Sequence, residues 1–181
     1  MDIRDFVVAS LTRTRNATLN VVKDLTQAEL AWRPASFANP IGFLLFHSIR
    51  TEDRYIHTWL GNGADDVWKS EGWNKRWNLP EAHPGAPQGW FGETGNSWTP
   101  EQVAAWPIPP KEELLAYGAR VQEKVIEVIN AFDLARIGQP ISPDRPNVTY
   151  ANYLYIASHH EAQHQAQIDY VLGLKRGVMG V

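Results

Sequence analysis

The chain reads as all-α: a four-helix bundle with a long Trp/Pro/Gly-rich insertion between helices 2 and 3, forming a single domain over residues 1–181. Three observations predict this. Four long segments carry apolar side chains at helical spacing. Capping residues or helix breakers bound each of them. Nowhere do polar and apolar residues alternate over the length of a strand.

The first helix runs from about Asp2 to Lys23, with Ile3, Phe6, Val7, Leu11, Leu19 and Val22 as its apolar stripe. Asp24-Leu25-Thr26 ends it, and Thr26 with Glu29 forms a capping-box pattern for a short helical turn. The second helix opens with Asn39 as N-cap and Pro40 at its first position, where the missing N–H is no loss. It continues to about Leu60 and stops at Gly61-Asn62-Gly63.

Residues 61–109 break the pattern with Pro80, Pro84, Pro87, Pro100, Pro107 and Pro109, many glycines, and Trp68, Trp73, Trp77, Trp90 and Trp98. Only Thr99-Pro100-Glu101-Gln102 reads as a helix start. A loop this long in a compact domain is usually functional or disordered, and disordered segments are poor in aromatics. The expectation is an ordered lid that either walls a pocket or merely covers one end of the bundle. The third helix spans about Lys111 to Phe132, with Leu114, Leu115, Val121, Val125, Val128 and Ile129 inward. A second loop, Asp133 to Val148, carries Pro140, Pro143 and Pro146. Thr149 then caps the fourth helix, which reaches about Lys175 before Gly177.

Composition narrows the function classes. Net charge is -3, so no basic face is implied and nucleic acid is not an expected partner. There is no cysteine, which excludes disulfides, cysteine–zinc sites and thiol nucleophiles on the chain and fits a reducing cytoplasm. The N-terminus has no basic region followed by an apolar run, and no stretch reaches the ~18 apolar residues of a membrane span. The expectation is a cytoplasmic protein with neither membrane nor nucleic-acid partner.

The chemistry is carried by histidines. His160 and His164 stand four apart in His159-His160-Glu161-Ala162-Gln163-His164, so their imidazoles share one helix face with Tyr153, Ile156, Ala157, Gln167 and Val171. Two histidines on a mostly apolar face each need a buried hydrogen-bond partner, and a metal ion is the simplest shared one. His47, in Phe43-Leu44-Leu45-Phe46-His47, would complete a three-nitrogen site with an open position for water or substrate. His159 and His57 point about 100° and about 80° away from the respective ligand directions and are left out. His83 lies in the lid. Glu161 completes a literal HExxH and is the candidate general base, although no strand exists to hold a protease substrate. It could instead orient a ligand histidine. Arg50 and Arg54 fall near the His47 side of the helix. They could grip an anionic substrate, while ion pairing with Glu52, Asp53 or another helix is their ordinary role.

These segments resemble the DinB/YfiT-like family of metal-binding four-helix bundles. The likeness is carried by Leu25-Thr26-Gln27-Ala28-Glu29-Leu30-Ala31-Trp32-Arg33-Pro34, by Asn39 through His47 with Glu52 following, and by His160 through Ile168, where Ala166 stands at a position often held by glycine. The resemblance implies a divalent metal, commonly zinc or nickel, on His47, His160 and His164. It also implies a homodimer and a small-molecule substrate. It places the chain near thiol-dependent enzymes such as mycothiol-dependent maleylpyruvate isomerases and bacillithiol transferases. The expected function is therefore a metal-dependent enzyme that activates water or a low-molecular-weight thiol cofactor. The rival reading is a non-catalytic metal- or ligand-binding scaffold whose tryptophan-rich segment meets a partner.

Overall fold

Helix α1 (Ile3–Val22) begins with a reciprocal cap in which the Asp2 carboxylate accepts from the Arg4 and Asp5 N–H groups and Asp5 accepts from Asp2 N–H. The computed structural model describes residues 1–79 and 92–178. The buried face of α1 is Val7, Leu11, Arg15, Thr18 and Val22, a run at four- and three-residue steps. Ile3 and Phe6, expected inside, are 42% and 59% exposed. Phe6 precedes Val7 by one residue, which turns it about 100° away from the buried face.

The short α2 (Gln27–Ala31) has the expected Thr26–Glu29 capping box. Helix α3 (Ile41–Tyr55) starts one residue later than its sequence signals suggested. Pro40 is the N-cap, because its carbonyl accepts the first helical bonds, from Phe43 and Leu44. Every residue from Ile41 to Asp53 is buried, since α2 and the insertion cover the side of α3 that faces away from the other long helices. At Ile56–Leu60 the helix widens into a π turn, in which Gly61 N–H reaches back five residues to the Ile56 carbonyl at 2.9 Å.

Helices α6 (Lys111–Ala131) and α7 (Tyr150–Arg176) complete the bundle, α7 ending at Gly177 in the left-handed conformation. Around the ring, α1 packs on α7, α7 on α3, α3 on α6 and α6 on α1. Among the described residues there is no strand, only an isolated bridge between Pro140 and Thr149. No described helix is long and apolar enough to cross a membrane.

The described part of the insertion has more local structure than the sequence revealed. It holds α4 (Val67–Ser70), capped by Asp66, and α5 (Pro100–Ala105), capped by the Thr99–Gln102 box, besides two single turns. Trp68, Trp73, Trp77, Trp98 and Trp106 are all buried. They gather around Phe46 and Tyr117, with ring centroids 4.7 Å apart for Phe46–Trp106 and 5.3 Å for Trp73–Tyr117. Trp90 and His83 lie outside the described residues. Charge secures what the rings pack. The fully buried Arg50 of α3 donates to Asp66 at 2.9 Å and to Glu93 at 3.1 Å, both in the insertion. Asp53 accepts from the Val67 and Trp68 N–H groups and from the Tyr117 hydroxyl.

A second buried guanidinium locks the bundle. Arg15 of α1 pairs with Glu161 of α7, with Glu52 of α3 at 3.0 Å, and with the Gly118 carbonyl of α6 at 3.0 Å. Residue 118 must be small, because a Cβ there would stand 3.0 Å from the guanidinium and 2.9 Å from Ile49. Glu52 Oε1 and Glu161 Oε2 are buried without a hydrogen-bond partner among the described residues. Burial pushes the Glu52 carboxyl up, against the pull of Arg15 and with help from the Glu161 charge, so a proton on Glu52 relieves the crowding of two carboxylates.

Replacing Arg15 with methionine keeps the volume and removes the charge, leaving Glu52 and Glu161 buried without a cation. Arg15→Met is expected to destabilise by on the order of 3–5 kcal/mol, lowering the thermal midpoint by roughly 6–20 °C. Melting followed by circular dichroism checks this, and an unchanged midpoint contradicts the clamp.

Candidate metal centre

Helices α3 and α7 bring the three sequence-nominated histidines together. His47, His160 and His164 each offer a ring nitrogen, and these atoms all lie within 4.8 Å of one another. Nε2 of His160 and Nε2 of His164 are 3.1 Å apart. Two nitrogens bound tetrahedrally at 2.0–2.1 Å from one ion would stand about 3.3 Å apart, so the donor set fits a divalent cation with little adjustment.

The remaining nitrogens of His47 and His164 are each held by a hydrogen bond. His47 Nδ1 is 2.7 Å from the Thr94 carbonyl. A carbonyl only accepts, so Nδ1 carries the hydrogen and Nε2 keeps its lone pair. His164 Nδ1 is 2.8 Å from Gln167 Oε1, which does the same from one helical turn away. The Thr94 carbonyl is delivered by the turn Gly92–Thr94 and by Gly95, whose φ is +85°. A Cβ at residue 95 would sit 2.9 Å from the Phe43 ring, and that ring stacks on His47.

Electrostatics keeps the rings uncharged. Burial, then the nearby His164, pushes His47 down to about 4 despite the Thr94 bond. Burial, then His164, His47 and His159, pushes His160 down to about 3. Burial also lowers His164. All three are neutral imidazoles at neutral pH, the form a metal requires.

The site borders a cavity of about 240 Å³ lined by His47, His164, Asn96, Ser97, Trp98 and Gln167, among others. The insertion therefore does two things. Residues 95–98 wall the cavity, whereas Trp68, Trp73 and Trp77 pack away from it against Phe46 and Tyr117.

The other candidates have other partners. Glu161, nominated as a general base, is buried with its carboxylate on Arg15 and is not among the clustered ligand atoms. Facing one residue round from His160, it looks toward α1 instead of α3. Arg50 is spent on Asp53, Asp66 and Glu93, and Arg54 lies 3.7 Å from Asp66, so neither is presented as an anion grip. His57 bonds the Asp53 carbonyl at 2.8 Å. His159 is exposed and stacks on Tyr155. Sequence reasoning missed Thr94, which acts through its backbone, and Asn96 and Ser97, which no pattern marks.

A profile of the DinB superfamily matches residues 10–168. No curated protein matches the chain. Among solved structures the chain is similar to one described as the conserved protein of locus from Enterococcus faecalis, at 21% identity, over 98% of this chain and 99% of that chain, with a TM-score of 0.81. At that identity the likeness is one of fold.

The lowered histidines give a pH signature. The unfolded chain protonates its histidines near pH 6.5, while in the folded chain His47 resists until about 4 and His160 until about 3. Protons therefore favour unfolding across that window: the contribution is fully present above about pH 6.5 and is lost as pH falls toward 4 and below. Metal-free wild type is expected to lose stability more steeply over this range than His47→Gln or His160→Gln. Equal slopes in denaturant titrations at several pH values contradict the neutral-imidazole assignment.

Proposed function

The chain belongs to the DinB superfamily, and on that premise we propose that it is a metal-dependent enzyme acting on a small molecule by hydrolysis or thiol transfer. The observation that carries this reading is the convergence of three neutral imidazoles, two of which, His47 and His164, line a cavity. His47, His160 and His164 would hold the ion, and an all-imidazole set suits zinc or nickel. When bound, the ion supplies Lewis acidity that brings the pKa of a coordinated water or thiol toward neutrality.

The chain's own groups do the rest. Thr94 and Gln167 hold the rings of His47 and His164 in the ligating tautomer. Asn96 and Ser97 offer amide and hydroxyl groups to the polar part of a substrate. Phe43 and Trp98 shield one side of the site from water. In this reading Glu161 holds α7 to α1 and is not the proton carrier. A small-molecule thiol and a homodimeric assembly belong to the same proposal and are supported by the family resemblance. The cavity favours an enzyme over a scaffold, since a purely structural metal needs no solvent-accessible side.

Elemental analysis of the purified protein is expected to give about one divalent ion per chain, as one three-histidine site implies. His160→Ala should lose most of it while keeping its helical circular-dichroism spectrum. Undiminished metal in that variant contradicts the assignment.

A further inference from the structure

A second cavity, about 430 Å³, runs between the 34–39 segment and the C-terminal half of α7. Pro34, Ala38, Ala166, Tyr170, Val171 and Leu174 form its sides, and none of its lining residues is charged. Asn39, Leu44 and Gln167 line both this groove and the cavity at the histidines, so the two are immediate neighbours. Tyr170 and Leu174 on the groove are 67% and 49% exposed, and Phe37 in the adjoining segment is 75% exposed. Large apolar side chains gathered at a concave surface mark a ligand site.

We propose that the groove takes the hydrocarbon tail of an amphipathic substrate whose small polar head reaches the histidine site. The inference rests on the metal reading above and names the substrate class for it. The head compartment is the smaller one, and it offers Asn39, Asn96, Ser97 and Gln167 as uncharged hydrogen-bonding groups beside His47 and His164. The tail compartment offers mainly carbon. Gln167 sits at the junction and also orients His164, so the tail crosses the residue that aims a ligand ring. A hydrocarbon tail suits the groove better than a second copy of the chain, because the groove is concave and shares Asn39, Leu44 and Gln167 with the histidine cavity.

The test uses the cobalt(II)-loaded protein, whose visible absorption reports ligands arriving at the metal. Straight-chain hydroxamates from acetohydroxamate to octanohydroxamate supply one head with increasing tail. The dissociation constant is expected to fall about fourfold per added methylene until the groove is filled. Ala166→Leu, at an exposed position on α7 that lines the groove but not the histidine cavity, should abolish that gain and leave acetohydroxamate binding within twofold. A flat series in wild type, or an undiminished gain in Ala166→Leu, overturns the proposal while leaving the metal reading intact. A flat series from a dimer that Ala166→Leu splits into monomers, as seen by light scattering, assigns the groove to a second copy, which also overturns it. No spectral response to acetohydroxamate overturns the open metal site and this inference together.

Discussion

The guanidinium of Arg15 is the contact on which the geometry of the site depends. From α1 it reaches each of the other three long helices: Glu52 on α3, the Gly118 carbonyl on α6 and Glu161 on α7. Glu161 directly follows His160, and Glu52 lies five residues beyond His47, so fixing the two carboxylates fixes the register of the helices that carry the ligands. A buried ion pair often adds little net stability, because desolvation offsets the Coulombic attraction. Its effect here is on specificity: a slip of either helix would strand a carboxylate in the core. Glu52 and Glu161 each keep one buried oxygen without a hydrogen-bond partner among the described residues, so both carboxyl groups rely on Arg15.

The second buried arginine does for the insertion what the first does for the bundle. Arg50 ties Asp66 and Glu93 to α3, and the turn that contains Glu93 presents the Thr94 carbonyl to His47. The aromatic cluster of Trp68, Trp73 and Trp77 supplies apolar burial and packs on Phe46 and Tyr117. Ionic anchoring therefore aims the segment, while ring packing keeps it closed.

Much of this was legible in the chain, and the rest was hidden for physical reasons. Helical periodicity, with caps or breakers, marked all four long helices, and the four-residue spacing of His160 and His164 marked the pair that the fold brings beside His47. The buried stripe of α1 was harder to see because Arg15 sits in it. A strictly spaced run of Val7, Leu11, residue 15, Thr18 and Val22 was there to be noticed, and it would have placed a charge in the core. Asp53, three residues on, was a partner of Arg50 that the sequence could offer, but its other two partners lie 16 and 43 residues away, across an insertion whose path no local rule predicts. Thr94 acts through a carbonyl that every residue possesses, so only the fold could reveal it. The HExxH spacing that nominated Glu161 does not say which way the intervening residue faces, and in the fold its carboxylate lies on Arg15.

X-ray absorption at the edge of the bound metal addresses the central claim most directly. The account predicts three imidazole nitrogens at about 2.0–2.1 Å, together with a further light atom that is replaced when azide is added. A shell with fewer than three imidazoles, or a closed shell that azide leaves unchanged, would contradict it.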